Sequence, residues 1–125
     1  ALADKIVISP LETYNYYRRE GSIVRSTFTE KRYDFFDAVS KNEEVIKKEY
    51  TQSIELKQSL QAKKLRGGFV VIGAKADSGL TDFSKDRNLL KVDFKTMLLN
   101  KKISWRLKLK YIIFMLSSKV YLRLR

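Results

Sequence analysis

The sequence contains no cysteine and no histidine among its 125 residues, and only one proline. Without cysteine there are no disulfide bonds and no thiolate metal site. Without either residue, a metal ion would need carboxylate ligands, which suit magnesium or manganese better than zinc. A catalytic set built on a histidine base or a cysteine nucleophile is also excluded, and the sequence contains no convincing catalytic centre.

Acidic residues are scarce relative to basic ones. There are 14 Asp and Glu against 26 Lys and Arg, which gives a formal net charge of +12. Eight of the basic residues and no acid fall within residues 101–125. Such an excess predicts an anionic partner: a phosphate-bearing ligand, a nucleic acid or an anionic membrane surface. Hydrophobic residues make up 44% of the chain, which is enough for a folded core.

Long hydrophobic runs are missing too. The longest extends from Tyr111 to Leu116, well short of the ~20 residues that a membrane-spanning helix needs. We therefore expect that the chain does not cross a membrane, and a location on a membrane surface stays open. The start, Ala1–Lys5, has neither an initiator methionine nor the pattern of a signal peptide, and it indicates a segment of a longer protein.

The N-terminal residues predict two short strands. Lys5–Ser9 is continuous, apolar and rich in β-branched residues, which is typical of a buried strand. Glu12–Arg18 is rich in threonine and tyrosine and predicts a second. Two short strands do not form a stable sheet alone, so they would belong to a larger sheet.

The remaining residues predict a mainly helical structure. Thr27 and Glu30 fit a capping box before a helix from about 28 to 50. A second helix, either separate from the first or continuous with it, is predicted over 51–65. The glycine pair 67–68 is expected to end it.

Two later segments carry weaker signals. Residues 69–76 begin with strand-forming residues, but their length and context also allow a short helix, so both remain open. Residues 77–79 predict a turn. Ser84 or Asp86 is expected to cap a helix that continues to Leu99, and Asp82 and Asp86 are interpreted as turn and cap residues.

The last predicted helix begins after Ser104 as N-cap, runs from Trp105 to about Leu122, and would be ~27 Å long. One stripe carries Leu107, Tyr111, Phe114, Ser118 and Tyr121. We predict that this stripe packs on the core. The excess charge beside it favours an anionic membrane surface, and the residues predicted to face the membrane are Arg106, Lys108, Lys110, Lys119 and Arg123. A nucleic acid is the alternative partner, but no recognised nucleic-acid motif supports it.

A second candidate site is the segment Arg18-Arg19-Glu20-Gly21-Ser22. Arginine forks match phosphate oxygens, the glycine permits a sharp turn, and Ser22 can donate a hydrogen bond to an anionic oxygen. From these residues alone, we favour a structural turn whose arginines pair with nearby glutamates over a phosphate site.

The segment from Pro10 to Ile23 (PLETYNYYRREGSI) resembles the C-terminal part of bacterial family 2 glycosyltransferases, enzymes with a GT-A fold. Residues 103–121 are also similar to the ends of such enzymes. The resemblance implies that residues 1–25 contribute terminal strands and an active-site loop of a GT-A domain. It implies that residues 26–125 form a helical extension with a basic last helix.

The family transfers a sugar from a nucleotide-diphosphate sugar to a glycan or lipid-linked acceptor in cell-surface polysaccharide synthesis. The resemblance implies a peripheral location on the inner, cytoplasmic face of the bacterial membrane. It implies that Arg18, Arg19 and Ser22 face the donor diphosphate. The magnesium or manganese site and the catalytic base would lie upstream, so no cofactor is assigned to this segment, which we expect to be inactive alone. A homo-oligomer that covers exposed strand edges is also expected.

Overall fold

The structure is a computed structural model, and it describes residues 28–50 and 53–125. Within these ranges the chain is mainly α-helical and has no strand, which confirms the helical part of the prediction. A 3-10 helix, Glu30–Tyr33, leads into α1 (Asp34–Glu49), α2 (Ile54–Asp77), α3 (Ser84–Leu90), α4 (Phe94–Leu99), α5 (Trp105–Leu116) and α6 (Ser118–Leu124). The predicted strands 5–9 and 12–18 lie outside the described residues.

Helix α2 is the longest described element, with 24 residues, and it passes straight through Gly67 and Gly68. The prediction that these glycines end the helix is therefore wrong. A Cβ atom at Gly67 would overlap the ring of Phe35, and one at Gly68 would overlap Leu90 and crowd Phe36. Close packing at these positions offsets the poor helix propensity of glycine, about 1 kcal/mol per residue. The segment 69–76, left open by the sequence, is helical.

The starts of the first two helices differ in how they are capped. Thr29 takes the N-cap position of the 3-10 helix without a side-chain bond, and Thr27 of the predicted capping box lies outside the described residues. The Ser53 side chain accepts a hydrogen bond from the Leu56 amide at 3.3 Å, and this bond caps α2. The predicted helix boundary near residue 50 is thus close to the observed one.

The predicted turn after α2 is confirmed, and Gly79 has the left-handed φ of +76° that such turns require. The single helix predicted from here to Leu99 is instead two helices, α3 and α4. Asp93 separates them because its carboxylate accepts the Thr96 amide at 2.8 Å and caps α4. Phe83, rather than Ser84 or Asp86, takes the N-cap position of α3.

The last predicted helix is also divided into two helices, α5 and α6. Ser104 caps α5 as expected, accepting the Leu107 amide at 3.4 Å. Ser117 then leaves the helical conformation (φ −155°, ψ 111°), ends α5 and accepts the Val120 amide to cap α6. A serine hydroxyl that bonds a nearby amide competes with continued helix, which accounts for the break.

The core surrounds α2 and includes buried side chains from α1, α3 and α4 as well as from the C-terminal helices. Phe114 packs edge-to-face on Phe69 at 5.8 Å and on Tyr121 at 5.3 Å between ring centroids. Tyr111, Phe114 and Tyr121 are all buried, with 3% exposure or less. The prediction that this stripe packs on the core is confirmed.

Candidate functional site

Helix α5 has a second apolar stripe that is exposed to solvent. Trp105, Leu109 and Leu116 are 68%, 47% and 79% exposed. At about 100° per residue, the three lie within roughly 40° of one another, and the buried Tyr111 and Phe114 lie roughly opposite them. Helix α5 is therefore apolar on two opposite sides. A helix that packs on a core from one side normally presents polar residues on the other.

Basic residues border this outward stripe on both sides. Arg106 is exposed, and its guanidinium lies 5.8 Å from the centre of the Trp105 ring. On the other border, Lys108 Nζ donates a 2.6 Å hydrogen bond to the Leu98 carbonyl in the last turn of α4. A cation there is favourable because the last carbonyls of a helix lack helical partners. The stripe is thus apolar in its centre and cationic at its edges.

Helix α6 continues the same composition. Val120 and Leu124 are 45% and 68% exposed and lie one turn apart, as do the exposed Lys119 and Arg123. No acidic residue occurs in the sequence from 94 to 125. Acids of α2 form ion pairs with two of the basic residues of this region: Glu55 with Lys102 and Asp77 with Arg125, both at 2.9 Å. Within the described residues, Arg106, Lys119 and Arg123 have no ion pair.

The five residues predicted to face a membrane lie in different surroundings. Arg106, Lys119 and Arg123 are exposed, whereas Lys108 and Lys110 are half-buried. Arg18, Arg19 and Ser22, predicted to face a diphosphate, lie outside the described residues. The exposed stripe itself was not predicted, although the i, i+4, i+11 spacing of Trp105, Leu109 and Leu116 is its sequence signal.

Lys110 lies at a small surface pocket of about 290 Å³ between α2 and the C-terminal helices. Its Nζ atom is 4.9 Å from the centre of the Phe69 ring and 5.5 Å from that of Tyr121. Arg125, also in the pocket lining, donates hydrogen bonds to the Gly73 carbonyl at 3.0 Å and to Asp77 Oδ2 at 2.9 Å. The bond to Asp77 raises the pKa of Arg125 above its ordinary value.

A buried polar cluster lies elsewhere in the core. Lys75 Nζ donates to Asp86 Oδ2 at 2.7 Å and to the Tyr33 hydroxyl at 3.0 Å, and that hydroxyl donates to Asp86 Oδ1 at 3.1 Å. Asp86 is fully buried, so its interpretation as a turn or cap residue is wrong. No sequence signal links these three residues, because the pairing depends on how α2 and α3 pack.

The cluster shifts two pKa values. Burial is the largest influence and raises the pKa of Tyr33. Burial, again the largest single influence, lowers the pKa of Lys75, but its hydrogen bonds to Asp86 and Tyr33 and the charge of Asp86 together hold that pKa above the ordinary value. Each polar group has a partner within the cluster, so we interpret it as structural.

A larger cleft of about 640 Å³ lies between α1, α2 and α4, with an apolar floor that includes Ile46 and Leu60. Several polar groups on its rim bond one another. Lys64 Nζ donates to the Lys91 carbonyl at 3.2 Å, and Gln61 donates to the Thr96 hydroxyl at 3.0 Å. We assign it no ligand.

Among the described residues, no helix combines the length and the apolar character needed to cross a bilayer. No group of three or more acidic side chains in the same part of the chain is placed to hold a metal ion.

Comparison of the chain with protein-family models, with curated proteins and with solved structures finds no match. The glycosyltransferase resemblance therefore rests on residues 10–23 and 103–121 of the sequence.

Proposed function

We propose that the helical part of this protein binds an anionic membrane surface through the outward stripe of α5. The observation that carries this proposal is the stripe itself: Trp105, Leu109 and Leu116 are exposed on the side opposite the core. The basic borders and the absence of acidic residues from 94 to 125 add the electrostatic part.

This arrangement matches the physics of helices that lie in a membrane interface. Such helices bury an apolar face at the boundary between headgroups and acyl chains, while basic side chains meet anionic headgroups. Tryptophan favours this region because its ring is largely apolar and its N–H can remain hydrated. Each basic residue near an anionic surface contributes about 1 kcal/mol. Arg106, Lys119 and Arg123 together would therefore strengthen partitioning by about two orders of magnitude.

The test is co-sedimentation with vesicles of phosphatidylcholine alone or mixed with phosphatidylglycerol. We expect binding to the mixed vesicles and a loss of binding as salt rises, because surface charges are screened. The triple variant Trp105→Ser/Leu109→Ser/Leu116→Ser should lose most of the binding. The control Val45→Ser/Ile54→Ser removes apolar side chains of comparable exposure, 51% and 70%, that lie on α1 and α2, and it should bind normally.

Two results would contradict the membrane proposal. One is equal binding by the triple variant and the control. The other is strong, sequence-tolerant binding to oligonucleotides without vesicle binding, which would favour the nucleic-acid alternative.

We further propose that this helical part belongs to a family 2 glycosyltransferase. Support comes from the resemblance of residues 10–23, which implies that Arg18, Arg19 and Ser22 face a nucleotide-diphosphate donor. A membrane-bound helical part would hold such an enzyme near a lipid-linked acceptor on the inner face of the membrane.

The coding sequence upstream of Ala1 tests this parentage. We expect an Asp-x-Asp motif roughly a hundred residues earlier, a distance that places it in the nucleotide-binding half of such an enzyme. In that longer protein, Arg19→Ala should reduce sugar transfer, and Mg²⁺ or Mn²⁺ should be required. An upstream sequence without the motif would overturn the assignment, and unchanged turnover would make residues 18–22 a structural turn.

A further inference from the structure

Lys110 is a half-buried cation that lacks an oxygen partner among the described residues. Its Nζ atom contacts the faces of Phe69 and Tyr121, and within residues 28–50 and 53–125 it has no hydrogen bond or ion pair. Burial lowers the pKa of Lys110, and the nearby positive charge of Arg125 lowers it further. An ammonium group in such a place is stabilised by any anion that reaches it.

The pocket beside Lys110 is positive. Among the described residues, its lining includes the cations Arg32, Lys110 and Arg125 and the acid Asp77, which pairs with Arg125. The three cations come from three separate parts of the chain: the 3-10 helix, α5 and the residue after α6. A local run of sequence does not account for their convergence.

The pocket is also preformed on one side. The guanidinium of Arg125 is fixed by its bonds to the Gly73 carbonyl and to Asp77. A Cβ atom at Gly73 would lie 3.2 Å from Arg125 Nη2, so the glycine gives this guanidinium room against α2. A cation that is already held in place loses less entropy when a ligand binds.

We propose that this pocket binds a phosphate dianion, either inorganic phosphate or the terminal phosphate monoester of a lipid headgroup, through Lys110 and Arg125. A phosphate monoester carries a charge of about −1.5 to −2 near neutral pH, which is opposite in sign to the two cations that would bind it. Its oxygens would supply the acceptors that Lys110 lacks among the described residues. The site is separate from the outward stripe of α5 and does not depend on its binding to membranes.

The first experiment measures thermal unfolding of the full chain during a titration with inorganic phosphate, with chloride at matched ionic strength as reference. We expect a saturable rise of the unfolding midpoint. Lys110→Met should weaken the apparent affinity at least tenfold. The control Lys119→Met removes an exposed lysine outside the pocket lining and should retain the full effect.

A second variant keeps the test decisive if Lys110→Met folds poorly. Val70 lines the same pocket and is 63% exposed, so Val70→Glu adds a carboxylate to the pocket without disturbing the core. This variant should also weaken phosphate binding at least tenfold.

The source of the phosphate is distinguished with vesicles of matched surface charge that contain phosphatidic acid or phosphatidylglycerol. Stabilisation by inorganic phosphate without a preference for phosphatidic acid identifies the free ion. A preference for phosphatidic acid that is lost in Lys110→Met and in Val70→Glu identifies the headgroup. If inorganic phosphate has no saturable effect and the two vesicles bind equally, the phosphate site is overturned.

The failure of this site is distinguishable from the failure of membrane binding. Trp105→Ser/Leu109→Ser should lose binding to phosphatidylglycerol vesicles and keep the response to inorganic phosphate. A response to phosphate that is lost in this variant as well would contradict the separation of the two sites.

Discussion

Lys75 and Lys110 both lie against aromatic rings, and their electrostatic surroundings differ in sign. Lys75 is within 6 Å of the ring centres of Phe28, Tyr33 and Phe83, and Lys110 is equally close to those of Phe69 and Tyr121. Lys75 also has a carboxylate at 2.7 Å, and its pKa is raised. Lys110 has Arg125 as its charged neighbour, and its pKa is lowered.

The difference separates a structural region from a binding region. Around Lys75, tertiary folding has supplied a partner for each polar group, as buried charges require. Around Lys110, the described residues supply aromatic faces and a further cation, Arg125, and the nearby carboxylate of Asp77 pairs with Arg125 rather than with Lys110. In the first arrangement, each polar group has its partner within the protein. In the second, we propose that a bound ligand supplies the anion for Lys110.

The largest expected effect on the free energy of unfolding comes from removing one partner of the buried cluster around Lys75. Lys75→Met leaves the fully buried Asp86 without its cation, and removal of one partner from a buried ion pair costs about 3–5 kcal/mol. Urea denaturation should show this loss of unfolding free energy. In the double variant Lys75→Met/Asp86→Leu, most of the loss should be recovered, because no buried charge remains. Equal destabilisation of both variants would contradict this account of the cluster.

Substitutions at Gly68 and Gly73 of α2 compare the packing of the buried core with the packing of the pocket beside Lys110. Gly68→Ala forces a methyl group against Leu90 and Phe36, and we expect a loss of about 1–3 kcal/mol, as for other overpacked sites. Gly73→Ala places a methyl group 3.2 Å from Arg125 Nη2, a contact that a shift of a few tenths of an ångström at the end of this long side chain relieves, so better helix propensity should give a gain of up to about 1 kcal/mol. Both are measured by chemical denaturation. Similar effects at the two positions would remove the contrast in packing.

The smallest effect is in the pH dependence of stability, and its sign differs between the two lysines. A raised pKa, as in Lys75, gives stability that is complete below the ordinary lysine pKa of 10.5 and is lost at higher pH. A lowered pKa, as in Lys110, disfavours the charged form, so stability rises as pH increases through that lowered pKa towards 10.5.

The free energies of unfolding of Lys110→Met and Lys75→Met, each compared with wild type across pH, test this difference in sign. In chloride buffer, Lys110→Met should lie within about 0.5 kcal/mol of wild type at pH 7, as is usual away from critical contacts. As pH rises, the free energy of unfolding of wild type should increase relative to that of Lys110→Met. Above pH 10.5, the free energy of unfolding of wild type should fall towards that of Lys75→Met. Parallel curves for the two comparisons would show that the two lysines are electrostatically alike.

Local signals in the sequence predicted part of this structure. The Ser104 cap, the turn at residues 77–79 and the buried stripe with Tyr111 and Phe114 each depend on neighbours within one or two helical turns. The passage of α2 through Gly67 was not predictable because its cause, the ring of Phe35, belongs to another helix. The pairing of Lys75 with Asp86 has the same origin.

The basic charge of the candidate surface was predicted from the sequence, but its exposed apolar stripe was not. The sequence indicated a basic C-terminal region with Arg106, Lys119 and Arg123, and these residues are exposed. Periodicity predicted the buried stripe of α5 correctly, but it did not show that the second apolar stripe, with Trp105, is exposed. Only the packing of Phe114 on Phe69 identifies the side with Trp105 as the outward one.

The central claim is that the outward stripe of α5 enters an anionic membrane surface, and the fluorescence of Trp105 tests it most directly. Trp105 is the single tryptophan of the sequence, so the emission spectrum reports on this position alone. On addition of phosphatidylglycerol vesicles at low salt, we predict a blue shift of the emission, reversed at high salt and absent with phosphatidylcholine vesicles. An unchanged emission spectrum while the protein sediments with the anionic vesicles would contradict the claim, because binding would then occur through another surface.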